Sequence, residues 1–193
     1  MTSPDDDHGK YLDSVLIGGR EPVSITIASY DATWPQRFAE LQRCVQQALA
    51  ATALSVQHIG STSIPGLDAK PIIDMLLTVR SVDDEAGYVN ALEQVGFVLR
   101  VREPNHRMFR TPERDAHLHV YQPDNEAVSD YLDLRDWLRE SEPDRALYAA
   151  TKRDLAQREW SDMNYYADAK SDVIRIILGR ARVWRSHDKC AEG

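Results

Sequence analysis

The sequence predicts an α+β domain: a mixed β-sheet covered by helices, with a helical C-terminal part. Three observations carry this. Runs with the period of strands recur from Val23 to Gln122. One of them, Ile72 to Val79, is apolar on both faces apart from Asp74, the mark of a central strand. From Val128 onward, apolar residues return at helical spacing.

Residues 1–20 are polar and acidic and close on Gly18-Gly19, which predicts a flexible N-terminal tail. Val23, Ile25 and Ile27 alternate with Ser24, Thr26 and Ala28, the pattern of a half-buried strand. Asp31 or Thr33 can then cap a helix with Pro35 in its first turn. Phe38, Leu41, Val45 and Leu49 give that helix, Pro35 to about Ala51, an apolar face. A short strand, Val56 to Ile59, runs into a loop punctuated by Gly and Pro from Gly60 to Pro71, and the central strand follows. Asp83-Asp84 starts a helix carrying Ala91, Leu92 and Val95 that stops at Gly96.

Phe97–Arg102, Arg107–Arg110 and Ala116–Gln122 then read as strands joined by short polar turns, hence antiparallel hairpins. In the helical part, Tyr131, Leu134 and Leu138 share a face, and Ser141-Glu142-Pro143-Asp144 has the form of a capping box. The last helix is expected from about Asp162 to Val183, with residues 186–193 as a tail. Residues 21–185 thus form a single domain, without a repeat or a low-complexity linker.

The 193 residues carry 23 basic and 31 acidic side chains, a net charge of −8. That balance argues against a duplex nucleic-acid binder or a protein of anionic membrane surfaces, which neutralise phosphates with an excess of cations. Cys44 and Cys190 stand alone, so a disulfide scaffold or a zinc ribbon is not expected. No apolar run approaches the roughly 20 residues of a membrane span. The start, MTSPDDDHGK, lacks the features of a signal peptide, and a cytoplasmic protein is the expectation. The oligomeric state is left open.

The chemistry concentrates in His58-Ile59-Gly60-Ser61-Thr62-Ser63-Ile64-Pro65-Gly66-Leu67-Asp68-Ala69-Lys70-Pro71-Ile72-Ile73-Asp74. Gly60 lets backbone approach a ligand closely, and Ser61, Thr62 and Ser63 offer hydroxyl and N–H donors to phosphate oxygens. Asp74 is costly to bury unless it is paired or binds a metal. The competing reading is a polar turn with Asp74 paired to Lys70 or an arginine. His117 and His119 point to one strand face with Tyr121, and with His58 they are candidate metal ligands beside Asp74. The alternative for them is a polar face under a helix. Lys70, Arg107 and Lys170 are candidate anion-binding residues. Asp133, Arg135, Asp136 and Arg139 read as surface ion pairs. Trp34, Phe38, Tyr131 and Trp137 read as core, and Cys44 as a buried hydrophobe.

The run HIGSTSIPGLDAKPIIDMLLTV resembles the signature of the GrpB-like (glutamate-rich protein B) family, which belongs to the nucleotidyltransferase-fold superfamily. The likeness spans Ile25 to Ile177. It takes in Tyr30-Asp31-Ala32-Thr33-Trp34-Pro35, His117-Leu118-His119-Val120 and Leu134-Arg135-Asp136-Trp137-Leu138-Arg139, and the pairs Tyr148 with Lys152 and Tyr166 with Lys170. A similar domain is fused to some bacterial dephospho-coenzyme A kinases. The resemblance implies a nucleotidyltransferase-like sheet, with Gly60 and Ser61 on a nucleoside triphosphate and Asp74 on a divalent metal, Mg²⁺ by analogy. It also marks a departure: the second carboxylate of the superfamily falls on Leu76. Two-metal phosphoryl chemistry wants more than one anionic ligand. His117 and His119 would complete the site or act as a base, and imidazole favours a metal other than Mg²⁺.

The expectation is therefore an enzyme that moves a nucleotidyl group from a nucleoside triphosphate to a small-molecule acceptor. Its rivals are an ATP-dependent amide-forming ligase working through an adenylated carboxylate, and a non-catalytic nucleotide-binding or auxiliary module.

Overall fold

The computed structural model describes residues 4–191. Five strands form one sheet in the order β1-β2-β5-β4-β3. They are β1 (Ser55–Ile59), β2 (Ile73–Thr78), β3 (Val98–Glu103), β4 (His106–Arg110) and β5 (Ala116–Tyr121). Only β2 and β5 run parallel, and every other pair is antiparallel, so the sheet is mixed as expected. The strands bearing His58, Asp74 and His119 are direct neighbours.

Register decides which side chains share a face, because partners across a ladder point the same way and successive residues point opposite ways. Ile59, Asp74, His117 and Arg110 form one row across four strands. Gln57, Leu76, His119 and Met108 form the next row on that same face. His58, Met75, Leu118 and Phe109 point the other way.

That second face is the larger core. Helix α2 (Trp34–Leu49) lays Trp34, Leu41, Val45 and Leu49 on Met75, Leu77, Leu118 and Val120, and the short α3 (Val89–Gln94) adds Leu92. Each such aliphatic side chain, fully buried, contributes about 1.5–3 kcal/mol. The first face is roofed by α4 (Glu126–Glu140), α5 (Glu142–Leu155) and α7 (Ser171–Ala191). Val128 packs on Ile59, Leu76 and Tyr121, while Leu138, Tyr148 and Ile177 pack with Ile64 and Leu67. The Ser141 side chain caps α5 at the N–H of Asp144 as the spacing predicts.

Four expectations need correction. The expected N-terminal tail contains α1 (Pro4–Val15), which buries Leu12, Val15 and Leu16 against Val101; three apolar residues at helical spacing were enough to dock it. Residues 1–3 lie outside the described residues. The run from Val23 to Ala28 is extended but joins no sheet; it makes isolated bridges from Val23 to Trp160 and from Ala28 to Ala69. Alternation reports a half-buried extended chain and not its hydrogen-bond partners. The expected last helix is two, α6 (Met163–Asp168) and α7, and the latter continues through residues 186–191 of the expected tail. Residues 192–193 lie outside the described residues. Cys44 is exposed, one position from the buried stripe of α2 that Val45 occupies. No helix among the described residues is long and apolar enough to cross a membrane.

Candidate active site

The turn after β1 brings Gly60 and Ser61 over Asp74 on β2. Gly60 has φ +67° and ψ −174°, a conformation essentially reserved for glycine, and a Cβ there would meet Asp74 Oδ2 at 2.4 Å. The turn is held from α4: Arg139 donates to the Ser63 carbonyl at 2.8 Å, and Arg135 to the His58 carbonyl at 3.2 Å. These arginines, read from the sequence as surface ion pairs, do pair with Asp136 but also clamp this turn.

Parallel register then sets His117 beside Asp74 and His119 one row further. His117 Nδ1 lies 3.2 Å from Asp74 Oδ1. One ligand atom from each of Asp74, His117 and His119 falls within 4.8 Å of the others. Among the described residues, Asp74 has His117 as its hydrogen-bond partner, and it pairs with neither Lys70 nor an arginine. Burial pushes its carboxyl up, but the His117 bond and the nearby Lys170 outweigh this and hold it below the usual carboxylate range. Burial, reinforced by His106, drives His119 down to about 3, so its imidazole is neutral.

His119 is also fixed from behind. Its Nδ1 is 3.1 Å from His106 Nε2, and His106 Nδ1 is 2.5 Å from Glu103 Oε1. The Glu103 carboxylate can only accept, so His106 donates from Nδ1. When His106 carries that proton alone, its Nε2 accepts, His119 holds its proton on Nδ1, and the His119 Nε2 lone pair is left free. His106 is further held between stacked rings, 4.4 Å from Tyr121 and 5.3 Å from His119.

A cavity of about 310 Å³ opens over this cluster, lined by Gly60, Ser61, Asp74, His117 and His119. Lys70, Lys152 and Lys170 line its far side with Tyr131, Tyr148 and Tyr166. Lys152 Nζ lies 4.9 Å from the centre of the Tyr148 ring, and Lys170 Nζ 4.4 Å from that of Tyr166; four-residue spacing along α5 makes the first pair, and the turn that follows α6 the second. The break between α6 and α7 is what places Lys170 here. Lys152 donates to the Asp68 carbonyl at 2.5 Å, and Lys70 contacts the Met163 sulfur. None of the three forms an ion pair with a carboxylate among the described residues. Burial lowers Lys152 to about 7 and Lys70 to about 8, and lowers Lys170 as well. Among the described residues the buried Tyr166 hydroxyl has no hydrogen-bond partner, while Tyr148 and Ser61 line the cavity together.

Several expected residues stand elsewhere. Arg107 points to the opposite face, where it binds Glu85 at 2.6 Å and Asp83 at 3.1 Å. Strand parity excludes it from the cavity. His58 faces the same way, stacked on Phe38 at 4.6 Å and bonded to Thr62, and burial pushes it down to about 4. It is not in the Asp74 cluster. Thr62 donates to the Ile72 carbonyl and Ser63 to that of Gly60, so both hydroxyls hold the loop together. Of the Gly-Ser-Thr-Ser run, only Gly60 and Ser61 line the cavity. The sequence gives Lys152, Tyr148 and Tyr166 no place in the site and reads Tyr131 as core; the signal for the first three was the repeated Tyr-x-x-x-Lys spacing.

A model of the GrpB protein family matches residues 24–180. The chain belongs to the GrpB family. A UPF0157 protein of Streptomyces coelicolor is 49% identical over 166 residues, covering 86% of this chain and 89% of that protein. Another, from Halalkalibacterium halodurans, is 46% identical over 175 residues, covering 88% and 90%. The crystal structure of GrpB from Enterococcus faecalis superposes with a TM-score of 0.73 at 31% identity, over 82% of this chain and 99% of that one. This GrpB-family chain carries a mixed sheet with a Gly-Ser turn over a strand carboxylate.

Proposed function

We propose that this GrpB-family protein is a metal-dependent enzyme that binds a nucleoside triphosphate and transfers its nucleotidyl group to a small acceptor. The observation that carries this reading is the trio of a buried Lys152 and half-buried Lys70 and Lys170, without carboxylate partners among the described residues, around the cavity that holds Asp74. Buried ammonium groups that lack counter-ions favour a ligand carrying several negative charges.

The nitrogen and oxygen donors of His117, His119 and Asp74 lie close enough to share one ion, and two imidazoles with one carboxylate suit zinc or iron better than magnesium. A bound cation would polarise phosphoryl oxygens there. Leu76, where the superfamily has a second carboxylate, is wholly buried, and its register partner His119 supplies the additional donor from β5. Ser61 and the backbone around Gly60 would orient the phosphates, and the lysines would bind the charge that leaves as pyrophosphate. The Tyr166 hydroxyl gains a partner when the cavity fills.

The test is a thermal-shift screen of the four common ribonucleoside triphosphates against Mg²⁺, Mn²⁺, Zn²⁺ and Fe²⁺. A ligand selective for the native state at a hundred times its dissociation constant adds about 2.7 kcal/mol of stability. Metal-dependent stabilisation by a triphosphate, with pyrophosphate release once an acceptor is supplied, supports the reading. No stabilisation by any pair would sink it.

A further inference from the structure

A second chamber of about 400 Å³ adjoins the first, between the β4–β5 turn, the extended segment from Glu21 to Thr26 and the start of α6. The two chambers share one wall of Lys70, Ile72, Met108, His117, Met163 and Asn164. His117, bonded to Asp74, therefore faces both. A ligand in the second chamber would lie directly beside the metal-ligand cluster.

Its electrostatics differ from those of the first. The cations Lys70, Arg100, Arg110 and Arg114 are matched by the carboxylates Glu21, Glu113, Asp115 and Asp162. Arg110 grips Glu21 with two bonds of 3.0 and 3.1 Å, and Arg100 is engaged with the carbonyls of Ile17 and Gly19. Arg114 makes one contact with Glu21, at 3.0 Å, and its side chain is 58% exposed. A chamber with both signs in near balance rejects a polyanion, which its four carboxylates would repel, and an apolar molecule, which would desolvate them. It suits a small molecule carrying one anionic and one cationic group.

The β4–β5 turn supports this placement. Arg114 has φ +61°, uncommon for a residue other than glycine, and the Thr111 hydroxyl oxygen fixes the turn by accepting the N–H groups of Asp115 and Ala116. The strained turn thus presents Glu113, Arg114 and Asp115, a cation between two carboxylates, at the chamber wall, with Asp115 shared with Arg37 at 3.2 Å and Glu113 left to a ligand.

We propose that the second chamber binds a zwitterion of the amino-acid class, its carboxylate on Arg114 and its ammonium on the carboxylates beside it. Its role as the acceptor rests on the nucleotidyl-transfer reading; its binding does not.

The test titrates the protein by calorimetry with a panel of L-α-amino acids, with the amines lacking their carboxylates and with the acids lacking their ammonium groups. At least one amino acid should bind, with the corresponding amine and acid about ten- to hundredfold weaker, the worth of one charged hydrogen bond. Arg114→Gln and Glu21→Gln should each weaken that amino acid by a similar factor. Because Glu21→Gln also loosens Arg110, Arg114→Gln is the cleaner variant. Thermal shift with triphosphate and metal is run in parallel on the wild type. Triphosphate stabilisation with no amino acid bound, in its presence or absence, overturns the zwitterion site and leaves the nucleotidyl reading standing. Acids binding as tightly as amino acids, or amino-acid binding indifferent to Arg114→Gln, also overturns it. If the triphosphate arm alone fails, the transfer reading falls, and the amino-acid titrations still decide the chamber.

Discussion

The carboxylate of Asp74 rests against the α-carbon of Gly60: a Cβ at Gly60 would stand 2.4 Å from Oδ2 and 2.8 Å from the Asp74 Cβ. Ile59 is the register partner of Asp74, so the chain turns at the very next residue and crosses over the acid. No side chain but hydrogen fits there, and the turn cannot hold Asp74 in this rotamer with any other residue.

Gly60→Ala should therefore move Asp74. The strained backbone alone costs on the order of 1–3 kcal/mol, or about 2–12 °C of Tm for a domain of this size. Scanning calorimetry should show that loss together with the disappearance of metal-induced stabilisation. A variant that keeps the full metal effect would disconnect the glycine from the acid.

Asp74→Asn separates metal binding from architecture. The amide oxygen still accepts from His117, and no lysine or arginine among the described residues is paired to Asp74. The metal-free variant should therefore melt within about 3 °C of the wild type. Stabilisation by divalent metal should vanish. A large loss of stability without metal would mean that the carboxylate is structural.

Triphosphate binding at the three lysines should be a proton-uptake event. Burial depresses Lys152 to about 7 and Lys70 to about 8 from the ordinary 10.5. Between the folded values and 10.5 the unfolded chain binds protons that the folded protein does not, so stability rises with pH across that window. Below the folded values the cost of burying the two amines is present in full. An anion restores the charged form. Calorimetric titrations at pH 8.5 in buffers of different ionisation heat should show a net gain of about one to two protons. Equal heats in all buffers would show that the amines do not meet the ligand.

Behind the cluster, His106 and Glu103 act as positioning residues. His106→Phe keeps a ring in the stack with Tyr121 and His119 but removes the acceptor that sets the proton on His119. Metal affinity should fall about 10–100-fold, the usual cost of losing such a partner. Glu103→Gln should weaken it less. Unchanged metal titrations for both would remove the relay from the site.

Ser61→Ala tests the phosphate end. Ser61 lines the cavity beside Tyr148, and losing its hydroxyl's bond to a charged group should weaken triphosphate binding by roughly ten- to hundredfold. Identical titration curves would dismiss Ser61 as a ligand contact.

Much of the fold and the site is legible in the chain. The acid alone in an apolar strand, the Gly-Ser turn ahead of it and the His-x-His strand are local patterns, and period two by itself puts the two histidines on one face. Arg107 and His58 escape the same logic because their parity relative to Asp74 depends on the register between strands, which no single strand encodes. Lys152 and the tyrosines escape it because they come from helices far along the chain. A Tyr-x-x-x-Lys pair is as much at home on a solvated surface as in a cavity.

The sequence by itself determined most of the elements, the mixed sheet and the family, since periodicity, caps and a long contiguous motif are properties of neighbouring residues. Only the tertiary structure decided that Asp74 faces His117 rather than Lys70, that Lys70, Lys152 and Lys170 gather without counter-ions, and that a second, charge-balanced chamber lies behind His117. Those facts depend on strand register and on the angle at which α5, α6 and α7 meet the sheet. Register and angle are set by packing between residues that lie far apart in the chain, and local pattern carries no record of them.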